Sequence, residues 1–108
     1  MPVIWSVPAI VLRIVDGDTA HLLLDLGWHI SYEARCRIIG INSPEIATAA
    51  GLEAKAFAET LLPIGGAVTF ASHSLDKYGR PLGAITDADG EDFGAHMLSA
   101  GHAVALKD

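Results

Sequence analysis

Arg37, Arg80, Asp18 and Glu45 stand in three short polar clusters, none of which explains itself alone. The first, Asp16-Gly17-Asp18-Thr19, reads by itself as an ordinary hairpin turn. The second, residues 37–45 (RIIGINSPE), sets an arginine on a strand and a carboxylate just beyond it. The plain alternative there is an exposed strand end with a solvated ion pair. The third, Asp76-Lys77-Tyr78-Gly79-Arg80, is by composition a polar surface loop. Together the clusters hold what phosphodiester hydrolysis requires. Two arginines can clamp phosphate oxygens with planar, bidentate geometry that lysine lacks. A hard cation held by oxygen ligands can polarise the phosphate and orient a water. A carboxylate beside that water can accept its proton, while fixed donors stabilise the charge that develops on the phosphate.

Bringing such clusters together calls for short strands and tight turns. Residues 9–15 (AIVLRIV) are β-branched and apolar and predict a strand, joined through Asp16-Gly17 to a second over 19–25. Residues 31–40 alternate, with Tyr32, Ala34, Cys36 and Ile38 facing one way and Glu33, Arg35, Arg37 and Ile39 the other. Cys36 is then an inert core thiol, and Arg35 is expected to pair with Glu33 or another surface acid. Pro44 ends this strand. Residues 51–62 are good helix formers with Leu52, Ala56 and Leu61 as an apolar stripe and Phe57 beside it. Pro63 and Gly65-Gly66 stop that helix. Strands over 67–72 and 82–86 follow, then a short helix over 92–100 with Met97 and Leu98 in the core. Three strands, a helix, two strands and a helix is the order of a five-stranded Greek-key OB barrel, an α+β fold with two packed helices, in one domain over 1–108.

The bulk properties narrow the function classes. A hydrophobic content of 51% is ample for a core. The net charge of −6 is the wrong sign for a protein that coats nucleic acid, so any phosphate site must be local. One cysteine excludes an internal disulfide framework, and the five histidines form no HExxH pair, which argues against zinc. The opening MPVIWSVPAIVLRIV lacks a basic start and is broken by Pro2, Pro8 and Arg13. It reads as neither signal peptide nor membrane span, so a cytoplasmic, non-membrane protein is expected, with secretion open if a leader was removed. Trp5 and Trp28 are expected to pack in the core or at a barrel end, and His73 is a candidate substrate neighbour.

The ordered clusters resemble the staphylococcal nuclease, or thermonuclease-like, family. The likeness runs from about Val11 to Val104 and rests on VDGDT, RxxGIxxPE, the G-x-E-A-x-A-F helix and DKYGR, with GEDFGAHMLSAGHAV similar to the family's second helix. The resemblance implies a calcium-dependent nuclease acting on DNA or RNA, single strands preferred, with low sequence specificity. It implies Asp18 as a calcium ligand, Asn42 where the family has a second aspartate, Ser43 at a backbone-carbonyl ligand and Glu45 as base or water-orienting carboxylate near the ion. Arg37 and Arg80 would bind the scissile phosphate, Lys77 and Tyr78 the neighbouring nucleotide, while Asp16 and Thr19 would support the ion site. Two departures stand out. Asn42 brings an oxygen without charge, and the family's third, C-terminal helix has no counterpart here, which opens the possibility of a homodimer. The competing reading is a weak or inactive OB module that binds nucleic acid, another anion or a protein. Glu45 separates the two, because a carboxylate beside bound phosphate repels it.

Overall fold

The computed structural model describes residues 5–106. Strands β1 (Trp5–Asp16), β2 (Thr19–Gly27) and β3 (Ile30–Ile38) form an antiparallel meander. A two-residue strand, β4 (Ile41–Asn42), precedes helix α1 (Ala49–Leu61). Strands β5 (Ala67–Leu75) and β6 (Pro81–Thr86) form a hairpin, followed by α2 (Phe93–Ser99) and β7 (Val104–Ala105). The sheet closes in the order β1-β2-β3-β6-β5. Its one parallel seam is short, Arg37 against Leu82 and Ile38 against Gly83, and joins the end of β3 to the start of β6. This is the expected five-stranded OB barrel with two helices.

Alternation fills the barrel. Val11, Leu22, Cys36, Phe70 and Ile85 point inward and are fully buried. Ala34, Cys36 and Ile38 lie on the predicted inner face of β3, but Tyr32, on the same face, sits at the barrel mouth and is exposed. Gly40, at φ 80°, turns the chain out of β3 before the predicted end of that strand.

Helix α1 begins at Thr48, whose side-chain oxygen accepts from the Gly51 amide at 3.0 Å. Of the expected Leu52–Ala56–Leu61 stripe only Leu61, with Phe57 beside it, packs against the core. Gly51, Ala54 and Ala58 face the barrel, and Leu52 and Ala56 face solvent. Size explains the difference. A Cβ added at Gly17 would stand 3.1 Å from Ala54 Cβ and 2.7 Å from Ser43 Cβ, so the hairpin, the 43–45 segment and the helix meet where only small residues fit. In α2, Met97 is buried as expected, whereas Leu98 points outward.

Trp28 is 93% exposed and does not pack as expected, whereas Trp5, half exposed, lines the barrel end with Val7, Leu24 and Phe70. Gly27, Trp28 and His29 all have positive φ (86°, 53° and 62°), and this left-handed turn carries the indole away from the barrel. Among the described residues there are two helices, and neither is long and apolar enough to cross a membrane.

Candidate active site

The two-residue loop between β1 and β2 positions Asp18. Asp16 is the last paired residue of β1, opposite Thr19, and its Oδ1 accepts from the Asp18 amide at 3.0 Å. Asp18 is 7% exposed, an unusual burial for a carboxylate, and each of its oxygens has a partner. Oδ1 accepts from the Thr19 hydroxyl at 3.0 Å, and Oδ2 from the Ser43 amide at 2.9 Å. The guanidinium of Arg37 lies 3.5 Å from the same Oδ2. Burial pushes Asp18 up, but hydrogen bonds from Asp16 and the Ser43 amide, together with the charge of Arg37, hold it below the usual carboxylate range. Asp16 moves the other way. Its burial, then its side-chain hydrogen bond to Asp18 and the charge there, push it up to about 6.

Arg37 ties the first cluster to the second. It donates to the Ile38 carbonyl at 2.8 Å, to the Asp18 carbonyl at 3.4 Å and to Asn42 Oδ1 at 3.5 Å. Strand β4 fixes Asn42 by pairing it with Val104, so the 41–43 segment is pinned between the hairpin and β7. Pairings two residues long leave no periodic signal, and the sequence did not reveal β4 or β7.

The third cluster is built by Asp76. Its Oδ1 accepts from the amides of Tyr78 and Arg80, both at 2.9 Å, and its Oδ2 takes Nε of Arg80 at 2.6 Å. Burial raises its pKa, but the Arg80 amide and side chain and the Tyr78 amide outweigh that and lower it. Fixing Arg80 through Nε leaves its two terminal nitrogens without a protein partner among the described residues. Tyr78, largely exposed, has Lys77 Nζ 5.2 Å and Arg80 Cζ 5.5 Å from its ring centre. Asp76 was not singled out from the sequence, although an aspartate two residues before an amide it caps and four before an arginine is a readable signal.

The parallel seam joins these parts. Arg37 and Leu82 are paired, so the end of β3 and the turn of the β5–β6 hairpin share one cavity of about 430 Å³. Arg37, Asn42, Lys77, Tyr78 and Arg80 stand on its wall. Glu45 does not: it is exposed just past β4, and its backbone carbonyl accepts from the Thr48 amide and hydroxyl. His73 is half-buried with an unpartnered Nδ1 among the described residues and also lies off this wall.

Residues of this chain offer oxygens to a hard cation. The buried Asp18 carboxylate adjoins Ser43, whose Oγ is buried with no partner among the described residues, and Asn42 Oδ1 faces Arg37. An orphaned buried hydroxyl beside a carboxylate suits an ion or an ordered water. No group of three or more acidic, histidine or cysteine side chains converges among the described residues, so an all-carboxylate cage is absent there.

Residues 35–108 match the family model described as staphylococcal nuclease homologue. The chain belongs to the staphylococcal nuclease family. Its match to the family model takes in Arg37, Asn42, Glu45 and the Asp76–Arg80 loop and starts after the Asp16–Thr19 hairpin. Two relatives, each named "Uncharacterized endonuclease", one from Escherichia coli O157:H7 and one from Escherichia coli, are 30% identical over 93 residues. That alignment covers 86% of this chain and 57% of each relative, so the chain spans little more than half their length.

Proposed function

We propose that this chain carries the catalytic site of a divalent-cation-dependent nuclease that hydrolyses phosphodiester bonds in DNA or RNA with low sequence specificity, single strands preferred. The observation that carries this reading is the shared cavity. Arg37 and Arg80, 43 positions apart in the chain, meet on its wall with Lys77 and Tyr78 beside them. Each arginine is held by a carboxylate, Asp18 or Asp76, in a fixed orientation. Such preorganised donors stabilise charge that develops on a transferring phosphoryl group. Family membership and the relatives' names support a nuclease.

Arg80 offers its free terminal nitrogens to two oxygens of the scissile phosphate, and Arg37 supplies further donors from β3. Lys77 and Tyr78 hold the adjoining nucleotide by charge and by ring contact. Glu45 accepts the proton of the attacking water. Its position outside the cavity wall requires the 43–48 segment to move inward for this step, toward the cation that Glu45 would help to hold. A cation, for which calcium is the choice of hard oxygen ligands, would be held by Asp18, Asn42, Ser43 and Glu45. When bound it supplies Lewis-acid polarisation of the phosphate and orientation of the water.

The exposed placement of Glu45 favours one other reading, a binding module that grips phosphate without cleaving it. Incubation with single-stranded DNA and RNA, in calcium and then in excess chelator, separates the two. The nuclease reading expects calcium-dependent cleavage that falls on the order of a hundredfold in Arg37→Ala and in Glu45→Ala. Cleavage unchanged by Glu45→Ala would remove Glu45 as the base, and no cleavage with any divalent ion in folded protein would favour the binding module.

A further inference from the structure

Two arginines and a histidine lie in register across the outer face of the barrel. Arg13 of β1 pairs with His21 of β2, and His21 pairs with Arg35 of β3. A bulge in β1 between Val11 and Arg13 sets this up. It lets Val11 and Ile14 both face the core while Arg13 points out. On β3, Ala34 and Cys36 are buried and Arg35 is exposed, so Arg35 shares the outer face with Arg37, two residues on.

The two arginines flank His21, two strand spacings apart, and the sheet neutralises neither of them internally. Glu33, the expected partner of Arg35, is instead 3.2 Å from His21 Nε2. Asp25, further along the same face of β2, accepts from the Gly27 amide. Among the described residues neither Arg13 nor Arg35 has an ion-pair or hydrogen-bond partner. The whole chain has only seven lysines and arginines against thirteen acids. Two unpartnered arginines on one face, in a chain so poor in cations, mark a local anion-binding surface.

That surface continues from the Arg37–Arg80 cavity. Two residues of β3 separate Arg37 from Arg35 by about 7 Å, and two strand spacings separate Arg35 from Arg13 by about 10 Å. We infer that Arg35 and Arg13 form a phosphate track that carries the nucleic-acid strand away from the cavity across β3, β2 and β1. The occupant is a single strand, because phosphates spaced along a flexible backbone can follow a curved barrel wall. The inference rests on the proposed nuclease reading for its substrate, but not for its geometry.

The test uses the full chain and the double variant Arg13→Gln/Arg35→Gln, with a long single-stranded oligonucleotide and a dinucleotide as substrates. For the long strand, KM rises on the order of tenfold in the variant. The slope of log affinity against log salt falls by about 1.4, two phosphate contacts at about 0.7 each for single strands. Hydrolysis of the dinucleotide, too short to reach the track, keeps its kcat and KM. Neither arginine has a partner to lose among the described residues, so the melting temperature stays no lower than the wild type's. Equal losses on both substrates, an unchanged salt slope, or a lowered melting temperature would each overturn the track. If the wild type cleaves nothing, fluorescence anisotropy with the same labelled oligonucleotide reads the slope directly. A slope difference then keeps the track while the nuclease reading fails, and no difference removes both.

Discussion

Arg80 can act as a phosphate clamp only if something stops its flexible side chain from folding back or swinging into solvent. Asp76 does this with one oxygen on Nε and the other on two amides of the same loop. Asp76→Asn keeps the shape and loses the charge, and misplacement of the guanidinium is expected to lower kcat on the order of tenfold or more. A pH titration of stability checks the cause. The folded pKa of Asp76 is depressed, so its contribution is fully present above the ordinary carboxylate pKa of about 4 and is lost as pH falls through the lower folded value. The variant should therefore unfold with a shallower dependence on pH below about 4; an identical acid limb would show that Asp76 is not ion-paired in solution. Asn42 tests the ion site in the opposite direction. Asn42→Asp adds a charge beside Arg37 and the Asp18–Ser43 pair, and should tighten calcium binding on the order of tenfold by isothermal titration. An unchanged titration would mean that residue 42 does not face the ion. At this scale the sequence was informative about residue types, because arginines and acids at those intervals have few uses together. It was silent on who holds whom: Asp76 looked like loop filler, and Arg35 looked paired when its acid is committed to His21.

At the scale of elements, the start of α1 governs Glu45. The helix is capped by Thr48, and the Glu45 carbonyl in turn receives both the Thr48 amide and its hydroxyl. Gly51 seals this corner, since a Cβ there would stand 1.8 Å from the Glu45 carbonyl oxygen. Gly51→Ala must therefore push the 45–48 segment away, at a cost of roughly 1–3 kcal/mol in stability, and should depress cleavage while leaving phosphate affinity at Arg37 and Arg80 intact. Thr48→Ala removes the cap together with the hydroxyl's bond to the Glu45 carbonyl, and should cost about 1 kcal/mol. A Gly51→Ala variant with full activity would show that Glu45 does not depend on this corner. The helix itself was legible from its composition, but its buried face was so only at Leu61 and Phe57. The stripe read from Leu52, Ala56 and Leu61 assumes that large apolar residues seek the core. Here the barrel approaches so closely that Gly51, Ala54 and Ala58 take the inner positions. Strand periods fared better, since Ala34, Cys36 and Ile38 do line the inside of β3, and inward alternation is a geometric property of any barrel strand.

The whole molecule is a closed barrel, so access to its interior is a matter of global opening rather than of local fraying. Cys36 reports on this directly. It is fully buried at the middle of the sheet, between β2 on one side and the β3–β6 seam beyond it. Burial pushes its thiol up to about 12, so almost none of it is thiolate at neutral pH. A thiol reagent should then modify it only through molecules whose barrel has opened. The labelling rate of the folded protein, divided by that of the chain in denaturant, gives the open fraction. Reclosing that is fast relative to labelling makes this an equilibrium free energy. Calcium together with a non-hydrolysable dinucleotide should slow labelling, because a ligand that binds only the closed barrel stabilises it by mass action. Asn42→Asp should strengthen that protection in calcium alone, and Arg37→Ala should weaken the part due to the nucleotide. Fast labelling that ligands leave untouched would mean that β3 separates from β6 at their two-residue seam without global unfolding, and the cavity built on that seam would then be only intermittently formed.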